Sequence, residues 1–264
     1  MKFDPTYGRS FNARDAYSFA LACQLAYREE KQVQDTAGLW GFGSVHFFDI
    51  KRGGGIDTQG YIAADAERIL VAFRGTAGLP DWLTNIQIAK DPGPEGHVHE
   101  GFQDAFFVST LRIGSLLGGM KGDRDIWVTG HSLGGALATL LVATLIENGI
   151  DVKGLYTYGA PRVGDGEFAK WLNGKLRYRC NYRVVNEGDV VPHLPSEQRF
   201  SHAGVRRLLV KGVGAIEVDN KRSTWRRFAR DAWSFIGGLG TILVKIKNPH
   251  TLEKGYLPRL ARLP

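Results

Sequence analysis

The sequence predicts an α/β fold in which a mainly parallel central sheet is covered by helices on both faces. Three observations carry this expectation. Short β-favouring runs recur through the centre of the chain at Ile69–Phe73, Asp125–Thr129, Gly154–Tyr158 and Tyr182–Val185. Helical stretches separate several of them, which suits parallel strands joined by crossovers. The clearest helix, Ala136–Ile146, is apolar almost all round, as expected for a helix buried against a sheet. No internal repeat or low-complexity linker interrupts the 264 residues, a length that suits one domain over 1–264.

The elements follow in order. Ala16, Ala20, Cys23 and Tyr27 are spaced by three or four, as on one face of an opening helix. Val45–Ile50 and Thr58–Ala63 read as strands of a hairpin around the turn-rich Lys51–Asp57. Ala136–Ile146 runs into Asn148-Gly149, a good C-terminal cap. Val205–Val210 reads as a further strand and Thr251–Leu263 as a terminal helix. Ligand sites in such sheets lie at the carboxyl ends of the strands, so candidate functional residues are sought there.

Composition narrows the class. Hydrophobic residues make up 43% and charged residues 23%, both ordinary for a globular protein, which argues against disorder of the whole chain. The 34 basic and 27 acidic residues leave a formal charge of +7, favouring anionic partners or an inert basic surface. No nucleic-acid-binding motif accompanies the charge, so nucleic acid is not expected as a partner. Cys23 and Cys180 allow one disulfide at most, lack metal-ligand spacing and read as small core residues. The N-terminal Met1-Lys2-Phe3-Asp4-Pro5 lacks the apolar run of a signal peptide, making the cytoplasm the default compartment. A secreted chain with its signal already removed reads the same way. No stretch reaches the roughly 18 uninterrupted apolar residues of a membrane-spanning helix.

Chemistry concentrates at Gly130-His131-Ser132-Leu133-Gly134, a G-x-S-x-G match between the strand Ile126–Thr129 and a small-residue helix from Gly135. In an α/β-hydrolase fold this context is a nucleophile elbow, with the serine on a strained turn. The following helix N-terminus favours negative charge developing at Ser132. The other reading of the match is a glycine-rich structural turn. A serine hydroxyl needs a base, and the base needs an orienting carboxylate, in the chain order serine, acid, histidine. Asp189 closes Tyr182–Asp189 just after a β-run and is the candidate acid, with Glu187 its local competitor.

Among the histidines, His131 sits inside the elbow and reads as structural. His97 and His99 precede the serine, and His193 and His202 follow Asp189 closely. His250 comes after the strand Val205–Val210 and before the terminal helix, where this fold expects its base; His202 is the main rival. An oxyanion hole needs two donors aimed at the tetrahedral oxygen. One candidate is the Leu133 backbone N–H. The other is Thr76, in the loop Phe73-Arg74-Gly75-Thr76, whose hydroxyl can also lock that loop.

Together these residues resemble the class 3 lipase family, over roughly Ala13 to Leu263. Val71-Ala72-Phe73-Arg74-Gly75-Thr76 with Asp81-Trp82 resembles its oxyanion segment, and His99-Glu100-Gly101-Phe102 its H-x-G-F. Tyr158–Gly164 resembles the segment after the next strand, and Asp189–Pro195 the acid-bearing stretch. Phe200–Gly204 resembles a structural histidine segment, which weakens His202, while His250-Thr251-Leu252 with Tyr256-Leu257 resembles the catalytic histidine and its helix. The resemblance implies a carboxylic ester hydrolase acting on lipid esters, most simply a triacylglycerol lipase or esterase. Phospholipase and galactolipase activities fall within the same family. A lipase-like lipid-binding protein without catalysis is the alternative of a different class. No metal or organic cofactor is implied. Segment 212–249 departs from the family pattern.

Two surface expectations complete the reading. Leu79, Trp82, Leu83 and Ile86 would share one helical face, so 79–89 reads either as an amphipathic lid or as a permanently packed helix. Lys221, Arg222, Arg226, Arg227 and Arg230 alternate with Trp225, Phe228, Trp233 and Phe235. That pattern suits an anionic membrane surface or an ordinary solvated face.

Overall fold

The structure, a computed structural model, describes residues 2–52, 56–76, 89–210, 214–217 and 248–263. Its centre is a sheet of eight strands among these residues. In chain order they are β1 (Ser44–Arg52), β2 (Ile56–Ala64), β3 (Arg68–Phe73), β6 (Asp125–His131), β7 (Gly154–Tyr158), β8 (Cys180–Asn186), β9 (Val205–Val210) and β10 (Gly214–Glu217). They lie side by side in that same order. β3, β6, β7, β8 and β9 run parallel, while β1, β2 and β10 add antiparallel edges. The expected hairpin is present, with Ile50 opposite Thr58. A short pair, β4 (Lys90–Pro92) and β5 (His97–His99), was not legible because three-residue strands carry too little pattern.

Strand alternation sorts side chains onto two faces. Ile69, Val71, Phe73, Ile126, Val128 and Leu155 pack with α3 (Glu100–Met120), α4 (Leu133–Glu147) and α5 (Gly166–Lys175). Leu70, Ala72, Trp127, Tyr156 and Tyr158 pack against α1 (Ala13–Leu25), α2 (Glu30–Leu39) and the C-terminal segment. Ala16, Ala20 and Cys23 of the predicted stripe are buried on α1. Tyr27 lies beyond the helix end. Cys23 and Cys180 are free buried thiols, and burial pushes them up to about 12 and 11.

α4 explains its apolar composition: its residues from Leu133 to Ala143 are all buried. It stops at Asn148-Gly149, where Gly149 takes φ +75° as a left-handed terminator requires. α5 begins on Asp165, whose carboxylate accepts the Glu167 and Phe168 N–H groups. The terminal helix is shorter than the expected Thr251–Leu263. Leu252–Tyr256 forms a wide π turn and only Leu257–Leu260 (α6) is α-helical. The turn is tightly packed, since a Cβ on Gly255 would lie 2.3 Å from the Pro249 carbonyl oxygen.

Register fixes the end of the sheet that matters. Phe73 pairs with Gly130, His131 with Tyr158 and Tyr158 with Val184, so the segments leaving β3, β6, β7 and β8 emerge together. The expected lid, 79–89, lies outside the described residues except for Ala89. So does most of 212–249, of which 214–217, 248 and 249 are described, and all of the basic-aromatic stretch. Among the described residues no helix is long and apolar enough to cross a membrane.

Candidate active site

Ser132 stands where β6 meets α4, with φ 59° and ψ −130°. Such a backbone costs a non-glycine residue about 1–3 kcal/mol and persists only where its surroundings impose it. Here the Ser132 N–H donates to the Tyr158 carbonyl at 2.9 Å. Gly134 meanwhile lies so close to the loop after β3 that a Cβ would come within 2.5 Å of the Phe73 oxygen. Ser132 is buried, and its hydroxyl makes no hydrogen bond among the described residues.

Asp189 and His250 meet at the same end of the sheet. The carboxylate oxygens lie 3.0 and 2.9 Å from His250 Nδ1, and both residues are only 2% exposed. Burial by itself would raise the Asp189 pKa. The His250 charge and hydrogen bond, the Tyr256 hydroxyl donating at 2.6 Å and the Val191 N–H donating at 3.0 Å outweigh it and hold the carboxyl below its ordinary value. A carboxylate can only accept, so Nδ1 of His250 carries the proton and Nε2 is left as an acceptor. That Nε2 is buried and makes no hydrogen bond among the described residues. An unsatisfied buried polar atom costs about 1–3 kcal/mol, and this site holds two, Ser132 Oγ and His250 Nε2.

The elbow itself holds the imidazole. His131, the neighbour of Ser132, lies with its ring centroid 4.6 Å from that of His250. Gly159 follows the carbonyl that anchors Ser132, and a Cβ there would lie 2.7 Å from Asp189 Oδ2 and 3.0 Å from His250 Nδ1. Only glycine fits between the β7 terminus and this pair. On the other side, a Cβ on Gly75 would lie 2.9 Å from Ser132 Cβ, so the loop carrying Thr76 touches the serine. Thr76 is half-buried beside it, and Leu133 opens α4, where first-turn N–H groups have no partner within the helix. All five candidates, Thr76, Ser132, Leu133, Asp189 and His250, therefore come from segments gathered at one end of the sheet.

The other histidines are engaged elsewhere. His202 Nε2 donates to the Pro192 carbonyl at 2.7 Å, and burial, with Arg183 and Arg162 nearby, keeps it neutral. His193 lines a separate basic cavity of about 510 Å³ together with Arg162, Arg183 and Arg206. His97 meets Asp165 at 3.2 Å, and His99 stacks on Phe102. Glu187 is placed by its backbone, its N–H donating to Leu209. Sequence reading gave no role to Gly159, Tyr27 or Tyr256. Tyr27 carried only a core-like spacing, and its partners are far away in the chain.

Residues 70–199 match the family model described as Lipase (class 3). Over these residues, just under half of its length, the chain is similar to the class 3 lipases. The match runs from β3 through the elbow to just beyond Asp189. The chain is 38% identical over 162 residues to a lipase of Rhizomucor miehei, an alignment covering 56% of the chain and 44% of that relative. It is 36% identical over 143 residues to a secreted mono- and diacylglycerol lipase of Fusarium solani, covering 51% and 42%. The chain thus spans less than half the length of these curated relatives. Among solved structures, a triacylglyceride lipase of Rhizomucor miehei superposes with a TM-score of 0.66 at 25% identity, covering 91% of this chain and 94% of that one. A lipase of Rhizopus microsporus var. chinensis gives 0.61 at 25% identity, covering 76% and 75%. The fold is that of an α/β-hydrolase.

Proposed function

We propose that this chain hydrolyses the carboxylic esters of lipids, acylglycerols foremost, through an acyl-enzyme on Ser132. The observation that carries the reading is the buried Asp189–His250 pair, whose Nε2, like the Ser132 hydroxyl, has no hydrogen-bond partner among the described residues. Ser132 Oγ attacks the ester carbonyl carbon as its proton passes to His250 Nε2. The carbonyl oxygen becomes an oxyanion held by the Leu133 and Thr76 N–H groups. The intermediate collapses by breaking the bond to the alcohol oxygen, which takes the proton from His250. Water then repeats the sequence, releasing the fatty acid and restoring Ser132. Asp189 holds the imidazole in the required tautomer throughout.

The similarity to acylglycerol lipases, a mono- and diacylglycerol lipase of Fusarium solani among them, supports acylglycerols as the substrate class. An alkyl fluorophosphonate should label the wild type at Ser132 and leave Ser132→Ala untouched. A panel of p-nitrophenyl esters of rising chain length, with emulsified triacylglycerol and phospholipid, should then give the highest kcat/KM on acylglycerol. Absence of serine-dependent labelling removes the hydrolase reading. Labelling with no turnover of any acylglycerol removes the substrate assignment alone.

A further inference from the structure

Tyr27 and His131 lie between the two halves of this site. The Tyr27 hydroxyl is 2.8 Å from His131 Nδ1 and accepts the Gly75 N–H at 3.1 Å. His131 Nε2 lies 2.6 Å from the His250 carbonyl oxygen. The direction of every bond is fixed by donor and acceptor counting. A carbonyl only accepts, so Nε2 of His131 donates. Burial, followed by the nearby His250, lowers His131 to about 3 and keeps the ring neutral. Its Nδ1 is then an acceptor, which the Tyr27 hydroxyl must supply, leaving the phenolic oxygen free to accept from Gly75. One ordered relay runs from the Gly75 N–H through Tyr27 and His131 to the backbone of His250.

Its two ends are the parts that must keep their spacing. Gly75 precedes Thr76, the candidate oxyanion donor, and packs on Ser132. The far end is the backbone of the candidate base. Resting on the hydrolase reading above, we propose that Tyr27 and His131 are positioning residues. Their relay sets the oxyanion loop and the His250 backbone at one mutual distance across Ser132. Neither touches the reacting atoms. The relay acts on the transition state, where the loop donors must meet the developing oxyanion, and leaves ground-state binding of the ester unchanged.

The test uses Tyr27→Phe, His131→Leu, the double variant and His131→Gln, whose amide retains one acceptor and one donor. With p-nitrophenyl butyrate, Tyr27→Phe should lower kcat about 10- to 100-fold with KM within about twofold. That is less than the ~10²–10³-fold loss from deleting an oxyanion donor itself. Affinity for an alkylboronic acid, which binds serine as a tetrahedral anion, should fall by the same factor. His131→Leu should match Tyr27→Phe, and the double variant should lose no more than either, since one broken link opens the relay. His131→Gln should recover most of the loss.

Fluorophosphonate labelling of wild-type Ser132 separates the two readings. Without it, the hydrolase reading fails before the relay is tested. With labelling intact, wild-type kcat in Tyr27→Phe, additive losses in the double variant, or no rescue by glutamine overturns the relay. If Tyr27→Phe does not fold, the His131→Leu and His131→Gln pair decides alone.

Discussion

At the scale of single residues, the site concentrates free-energy cost where chemistry is proposed. Ser132 sits at positive φ, and its hydroxyl and His250 Nε2 are buried without partners among the described residues. Both costs should be recoverable by substitutions that destroy activity. Ser132→Ala keeps the strained backbone, whereas Ser132→Gly relaxes it. The relief of about 1–3 kcal/mol exceeds the ~0.5–1 kcal/mol entropic cost of glycine, so the glycine variant should unfold at higher urea than the alanine variant. Both should lose on the order of 10⁶-fold in kcat, the scale seen when a serine nucleophile is removed from an intact triad. An alanine variant more stable than the glycine variant would show that the elbow carries no strain. Asp189→Asn tests the tautomer. An amide in place of the carboxylate lets Nδ1 act as an acceptor, moving the proton to Nε2, where it blocks the base. kcat should fall by about 10⁴-fold, the loss known when a triad aspartate is neutralised in this way. A loss under tenfold rules out Asp189 as the orienting group.

At the scale of elements, legibility followed how local the signal was. The strands β3, β6, β7 and β8 stood out because their apolar runs are buried on both faces, and α4 because it is buried all round. Ser132 and Asp189 stood out as candidates because each follows such a strand, directly after β6 and three residues after β8. α2, α3 and α5 were not, since Phe107 and Leu111 lie exposed on α3 and blur its stripe. The supports of the site were least legible, because Tyr27, Gly159 and Tyr256 act across long sequence separations. The π turn illustrates this. It brings the Tyr256 hydroxyl to Asp189 while that oxygen accepts the Asn186 N–H at 3.1 Å. Arg259 on the next turn donates to Asn186 Oδ1 at 2.6 Å and to the Leu209 carbonyl at 3.0 Å, tying the segment to β8 and β9. Tyr256→Phe strands a buried N–H and removes one Asp189 donor. It should lower stability by about 1–3 kcal/mol in urea titrations. kcat should drop less than in Asp189→Asn, because the His250 contact remains. An equal loss of kcat in the two variants would mean that Tyr256, not the aspartate charge, orients the base.

At the scale of the whole molecule, buried neutral histidines couple the fold to pH. His131 is lowered to about 3 by burial and by His250. His193 and His202 are also lowered, burial first and nearby arginines next. In the unfolded chain each would titrate near 6.5. Below that pH the unfolded state binds protons that the folded state refuses, so acidification favours unfolding. The stabilisation these histidines give is complete above about 6.5 and is lost as pH falls, for His131 down to about 3. Each contributes up to about 1.4 kcal/mol per pH unit within its window. Asp189, Asp151 and Asp165 have lowered carboxyl pKa values, so their stabilisation disappears only below the ordinary carboxylate range. Between pH 7 and 5 the histidines therefore dominate. Urea midpoints should fall increasingly steeply as pH drops through about 6.5 towards 5, and the His131→Gln variant should show a shallower fall because one titrating group is gone. A wild-type midpoint that stays level from pH 7 to 5 would mean that these rings accept protons without unfolding the chain. The neutral His131 on which the Tyr27 relay depends would then be lost as well.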